Sequence, residues 1–181
     1  LIGCSAMKGA FTHDVVTVMA SHVEFPIIFP LSNPTIKAEA EPADLIRWTQ
    51  GRVIVATGSP FDPVTFDGRN IRISQCNNAF VFPGLGLGVI ACKAKRVSDG
   101  MIAAACEALS ECSPALKSKG APILPGFEDI ERVSKKIANA VASQARQEGL
   151  ASIDDDVDLV KRIEALYWYP EYLPYKRVDI C

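Results

Sequence analysis

Three short apolar runs, at residues 1–3, 27–31 and 53–57, each close directly on small, polar or proline residues, with stretches of helical spacing between them. Uninterrupted apolar character, as opposed to strict alternation, is what a strand covered on both faces shows. Thr12 stands where an N-cap would open a helix over 13–22, with Val15, Val16, Val18 and Met19 on its buried face. A second helix is predicted over 42–49, with Leu45, Ile46 and Trp48 turned inward. The order strand, helix, strand, helix, strand predicts an α/β chain built on an open parallel sheet.

Residues 65–74, around Asp67-Gly68, read as a short edge hairpin. Beyond Asn77 the character changes. Helical spacing runs through 80–95, 99–111, 127–148 and 157–167, interrupted at Pro114, Gly120, Pro122, Pro125 and Gly149. A boundary is therefore expected near Asn77, dividing 1–77 from the helical 78–150, with a final segment 151–181 after a second boundary in the acidic stretch 152–158. The consecutive aspartates 154–156 invite a metal assignment. At a helix start they are better explained as capping and dipole complementation.

Composition closes off several functions. A formal net charge of -2 at pH 7, with lysines and arginines scattered along the chain, offers no field for a phosphate backbone, so nucleic acid is not an expected partner. The apolar stretch 80–92 is too short and too rich in glycine to span a bilayer, and no signal-peptide pattern opens the chain. A cytoplasmic protein away from membranes is expected. Six cysteines occur without a C-x-x-C pair or neighbouring histidines, the usage of free thiols and not of a zinc site or disulfide framework. The chain has no initiator methionine and opens on what reads as a strand lacking its start, so a piece of a longer polypeptide is expected.

In an open parallel sheet, ligands bind beyond the carboxyl ends of the strands. Those ends carry Gly3-Cys4-Ser5, Ser32-Asn33-Pro34-Thr35 and Gly58-Ser59-Pro60, three polar elements side by side on one rim. Glycine allows close backbone approach, and asparagine supplies donors and an acceptor for a carboxylate, carboxamide or ribose hydroxyl. Taken alone, Ser-Asn-Pro-Thr is equally a turn and cap sequence. Asn77-Asn78, at the entrance to an apolar helix, is the next candidate: capping explains one asparagine and leaves the other. The run Gly84-Leu85-Gly86-Leu87-Gly88 falls short of a dinucleotide fingerprint, because Val89 occupies the last glycine position, and close helix packing explains it better. His13 and His22 have no carboxylate or nucleophile at a motif spacing and receive no catalytic role.

Taken in order, Leu-Ile-Gly-Cys-Ser, Gly-Ala-Phe-Thr, Pro-Leu-Ser-Asn-Pro-Thr, Ala-Thr-Gly-Ser-Pro-Phe, Gln-Cys-Asn-Asn-Ala-Phe and Phe-Pro-Gly-Leu-Gly-Leu-Gly resemble the malic enzymes, and Gln-Cys-Asn-Asn resembles their bacterial NAD-type branch. The likeness extends to the Trp-Tyr-Pro-Glu-Tyr tail. It implies the C-terminal part of such an enzyme: the end of a Rossmann-like NAD(P)-binding domain over 1–77, helices returning to the catalytic domain over 78–150, and an assembly segment over 151–181. The implied reaction is oxidation of malate by hydride transfer to NAD, or to NADP, followed by decarboxylation to pyruvate with Mg or Mn. By the same resemblance Asn33, Asn77 and Asn78 contact malate, and Gly3, Ser32 and Asn33 lie at the cofactor. The family's tyrosine acid, lysine base and metal ligands are expected upstream of Leu1, so the isolated chain is expected to be inactive. Its expected partners are the missing N-terminal part and further copies of itself, in a homo-oligomer. Two readings compete with this one: a stand-alone nucleotide-binding or assembly module, and an enzyme acting on a different 2-hydroxy acid.

Overall fold

The computed structural model describes residues 1–118, 120–172 and 174–175. Its first part alternates strand and helix: β1 (Ile2–Gly3), α1 (His13–His22), β2 (Ile27–Pro30), α2 (Pro42–Trp48) and β3 (Ile54–Thr57). A hairpin follows, β4 (Val64–Phe66) and β5 (Arg69–Ile71), and then β6 (Ser74–Gln75). The main sheet has the order β1-β2-β3-β6, with every neighbouring pair parallel. All four carboxyl ends therefore emerge on one edge. Ile28, Val55, Leu45, Ile46 and Val16 form the centre of the core packed on this sheet, joined by Phe11, Ala40 and Ile73.

Two details of this half differ from the sequence reading. In α1 the buried positions are Val16 and Ala20, whereas Val15 and Val18 are exposed. Val16 and Ala20 are one turn apart and share a line along the helix, and the other two valines are rotated off it. The hairpin also ends earlier than predicted. Its turn is tight, with both Asp67 (φ 49°) and Gly68 (φ 69°) in the left-handed region that a two-residue turn of this kind requires. Ser74 and Gln75 then leave the hairpin and pair with Ala56 and Thr57 as a fourth parallel strand. A two-residue polar strand has no periodicity from which to be read.

The second part is helical: α3 (Phe82–Cys92), α4 (Asp99–Ser110), α5 (Ile130–Gln147) and α6 (Leu159–Leu166). The long amphipathic α5 is its axis, burying Val133, Ile137, Ala138, Val141, Ala142 and Ala145. Gly84 and Gly88 are buried on the face of α3 that meets α5, so the glycine run serves helix packing. This core, with Met101, Ala105 and Cys92, is distinct from the one on the sheet. The two parts meet where Ser74 Oγ accepts a bond from the Leu124 amide at 3.3 Å and where Arg72 donates to the Leu124 carbonyl at 3.1 Å.

Capping agrees with the sequence at α1, where Thr12 accepts from the Val15 amide, and is corrected at α6. There the cap is Asp158, which accepts from the Lys161 amide at 3.1 Å, while residues 154–156 precede the helix as a loop and turn. No cluster of three or more metal-ligating side chains occurs among the described residues, at 154–156 or elsewhere. Cys4, Cys76, Cys92, Cys106 and Cys112 are free thiols, and Cys181 lies outside the described residues, as do the last residues of the expected assembly segment. No described helix is long and apolar enough to cross a membrane. At the start of α4, Ser98 accepts from the Met101 amide at 3.1 Å while itself buried. Ser98→Ala is expected to lower stability by about 1 kcal/mol, read as a shift in the denaturant midpoint at unchanged slope.

Candidate functional site

The carboxyl edge of the sheet is laced together by side chains. At its β1 end, Ser5 donates both its amide (2.8 Å) and its hydroxyl (3.0 Å) to Glu39 Oε1. From β2, the Ser32 hydroxyl donates to the same oxygen at 2.5 Å and the Ser32 amide to Oε2 at 3.3 Å, while Ser32 Oγ accepts from the Ala6 amide at 2.8 Å. Next along the edge, Ser59 donates its hydroxyl to Asn33 Oδ1. The Gln75 amide then donates to the Gly58 carbonyl at 3.2 Å and completes the row at β6.

Of the predicted site residues, Gly3, Ser32 and Asn33 lie in this row, whereas Asn77 and Asn78 follow it at the turn into α3 and bond to none of its members. Gly3 is buried at the end of β1, and a Cβ there would lie 2.6 Å from the Glu39 carboxyl carbon. Its lack of a side chain therefore makes room for that carboxylate, a role with no signal in the sequence around it. Ser32 is buried as part of the Glu39 cluster, and Asn33 beside it is exposed. The Asn33 side-chain carbonyl accepts from Ser59, and its amide donors have no partner among the described residues. Asn77 caps the short turn of helix that leads into α3, its Oδ1 accepting from the Ala79 amide at 2.9 Å. Asn78 is exposed and its side chain bonds to nothing among the described residues. One asparagine caps and the other is left free, as the pair's position implied. Gly58 is also obligatory, because a Cβ there would run into the Leu31 carbonyl and approach Asn33 Oδ1.

Sequence reasoning missed Glu39. It is fully buried, yet burial, which alone would push its carboxyl up, is outweighed by the bonds from Ser32 and the Ser5 amide, which bring it down to about 2. It is thus ionised throughout the neutral range. The one signal in the sequence was an acidic residue flanked directly by Ala38 and Ala40, both of which are buried. The loops after β1, β2 and β3 border an open cleft of about 410 Å³ lined by Lys8, Thr35, Glu41, Pro60 and Asp62 among others, and no member of the row lines it.

This rim of glycines and amides can hold and orient a polar ligand. Among the described residues it has no group of three or more His, Cys, Asp or Glu side chains that could hold a metal ion. The profile of the family described as "Malic enzyme, NAD binding domain" matches residues 1–146. The chain belongs to the malic enzyme family. It is 52% identical over 180 residues to the NAD-dependent malic enzyme of Idiomarina loihiensis and 49% identical to that of Pseudomonas savastanoi, covering 99% of this chain and 32% of each relative. The chain thus spans about a third of the length of the malic enzymes it matches in this way. Among solved structures it resembles the Entamoeba histolytica malic enzyme (TM-score 0.69, 27% identity, 87% of this chain and 28% of that one). It also resembles the malic enzyme of Pyrococcus horikoshii (TM-score 0.68, 27% identity, 90% and 33%).

Proposed function

We propose that this chain supplies the substrate- and nicotinamide-orienting rim of an NAD-dependent malic enzyme that oxidises malate and decarboxylates the product to pyruvate. The observation that carries this reading is the Asn33–Ser59 pairing at the end of a parallel strand, in a chain of the malic enzyme family. With its carbonyl held by Ser59, Asn33 keeps its amide donors directed by a fixed acceptor, the arrangement needed to orient a carboxylate or carboxamide oxygen. Asn78, the uncapped member of its pair, is assigned to the malate carboxylate, and Asn77 holds the turn that presents it. Gly3 and Ser32 shape the floor on which the cofactor lies. NAD, when bound, accepts the hydride from C2 of malate.

The acid, the base and the carboxylates that bind Mg or Mn are assigned to other segments of the complete polypeptide, since amides neither take the substrate proton nor hold that metal alone. Residues 1–77 are assigned to the cofactor domain, 78–150 to helices returning to the catalytic domain, and 151–181 to assembly into a homo-oligomer. With malate, NAD and Mn, the complete polypeptide is expected to form NADH and pyruvate in equal amounts, and the isolated chain to form none. Absence of malate-dependent NADH from the complete polypeptide would overturn the proposal. Turnover by the isolated chain would overturn the assignment of acid, base and metal to other segments.

A further inference from the structure

The carboxylate of Glu39 is buried without a cation. Among the described residues no lysine, arginine or histidine pairs with it, and its charge is met by the N–H and O–H groups of two serines, each donating both, and by its own backbone amide. Burying a charge in this way is costly, and an apolar residue of similar volume would fill the space with less penalty. The arrangement therefore has to be explained by what the carboxylate holds in place. It closes the loop from Ser32 to Glu39 on itself, and Asn33 is the first residue inside that closure. The backbone of the same segment is tied to the loop after β1, with Phe11 donating to the Glu39 carbonyl at 3.0 Å and Gly9 to the Ala38 carbonyl at 3.4 Å. On the other side the Ala6 amide reaches Ser32 Oγ. Gly3 has no side chain at the point where the carboxyl group passes.

We propose that Glu39 is a positioning residue of the nicotinamide-facing rim: by gathering Ser5 and Ser32 onto one carboxylate it sets the loops after β1 and β2 relative to each other and so places Asn33. Glu39 touches neither cofactor nor substrate and acts through the two serines. The inference rests on the malic enzyme reading given above.

The test uses the complete polypeptide carrying Glu39→Gln, assayed with malate, NAD and Mn. Gln keeps the shape but turns one acceptor oxygen into a donor facing amide and hydroxyl donors. The expected result is a rise in KM for NAD of roughly tenfold, the scale of one lost charge-assisted hydrogen bond. A purely structural role would lower the folded fraction, and so kcat, and leave KM unchanged. Ser5→Ala removes a single hydroxyl from the cluster without touching the buried charge, and a rise of roughly threefold is expected; this variant carries the test if Glu39→Gln does not fold. Wild-type KM for NAD in the folded variants, accompanied only by lower thermal stability, would overturn the proposal. A wild-type polypeptide that does not reduce NAD with malate would instead overturn the functional reading, and this inference with it.

Discussion

Replacing Gly88 by valine is expected to separate α3 from α5 and to cost about 3 kcal/mol or more, the upper end of the range for overpacking a close contact. A Cβ at Gly88 would lie 2.7 Å from the Ala138 carbonyl oxygen and 2.9 Å from Val141 Cβ. One turn earlier, a Cβ at Gly84 would lie 2.7 Å from both the Ser134 carbonyl oxygen and Ile137 Cβ. Much of what stands opposite is backbone of α5, which cannot swing aside as a side-chain tip can, so relief requires moving one helix. Because α5 is the axis of the helical core, that displacement also loosens α4. Gly86 is the internal control. It lies between the other two, but a Cβ there meets nothing within 4 Å. Gly86→Ala is expected to stabilise by roughly 0.5–1 kcal/mol through helix propensity alone. Urea unfolding of the two variants should displace the midpoint in opposite directions. Equal midpoints would show that the interface is not built on Gly88.

For the complete polypeptide, Asn33→Ala is expected to lower kcat/KM for malate by roughly 100-fold, at the lower end of what removing a preorganised donor from an active site costs. Stability should change by less than about 1 kcal/mol, since the side chain is exposed and its one bond, from Ser59, can pass to water. The combination separates a binding group from a structural one. A kcat/KM within threefold of the wild-type value would remove Asn33 from the site. Ser59→Ala leaves the amide in place but frees its orientation, so a smaller loss in the same direction is expected.

The parallel strands were legible as short, continuous apolar runs bounded by small polar residues, and β2 and β3 lie within a residue of where those runs place them. The expected cover on both faces does not extend to β1 and β2, where Ile2 and Ile27 are exposed. The same pattern puts Gly3, Ser32 and Asn33 at strand ends. β6 was not legible, because its pairing with β3 depends on backbone groups in register and not on the character of Ser74 and Gln75. The exposed valines of α1 were misplaced for a related reason. Periodicity says which residues share a stripe, and only the neighbouring elements decide which stripe is covered.

Glu39 marks the division most clearly. From the sequence alone came the parallel α/β order, the position of Asn33 at a strand end and the packing role of the glycine run, which follow from local pattern and spacing, and the family resemblance, which rests on the ordered series of motifs. Tertiary structure decided that Ser5 and Ser32 converge on one buried carboxylate, that Gly3 is needed to make room for it, and that Ser59 occupies the Asn33 carbonyl while Asn78 stays free. Each of these depends on loops that are distant in sequence being brought within hydrogen-bond reach by the parallel pairing of their strands, and the energy of a buried charge is set by that convergence and by nothing in its sequence neighbourhood.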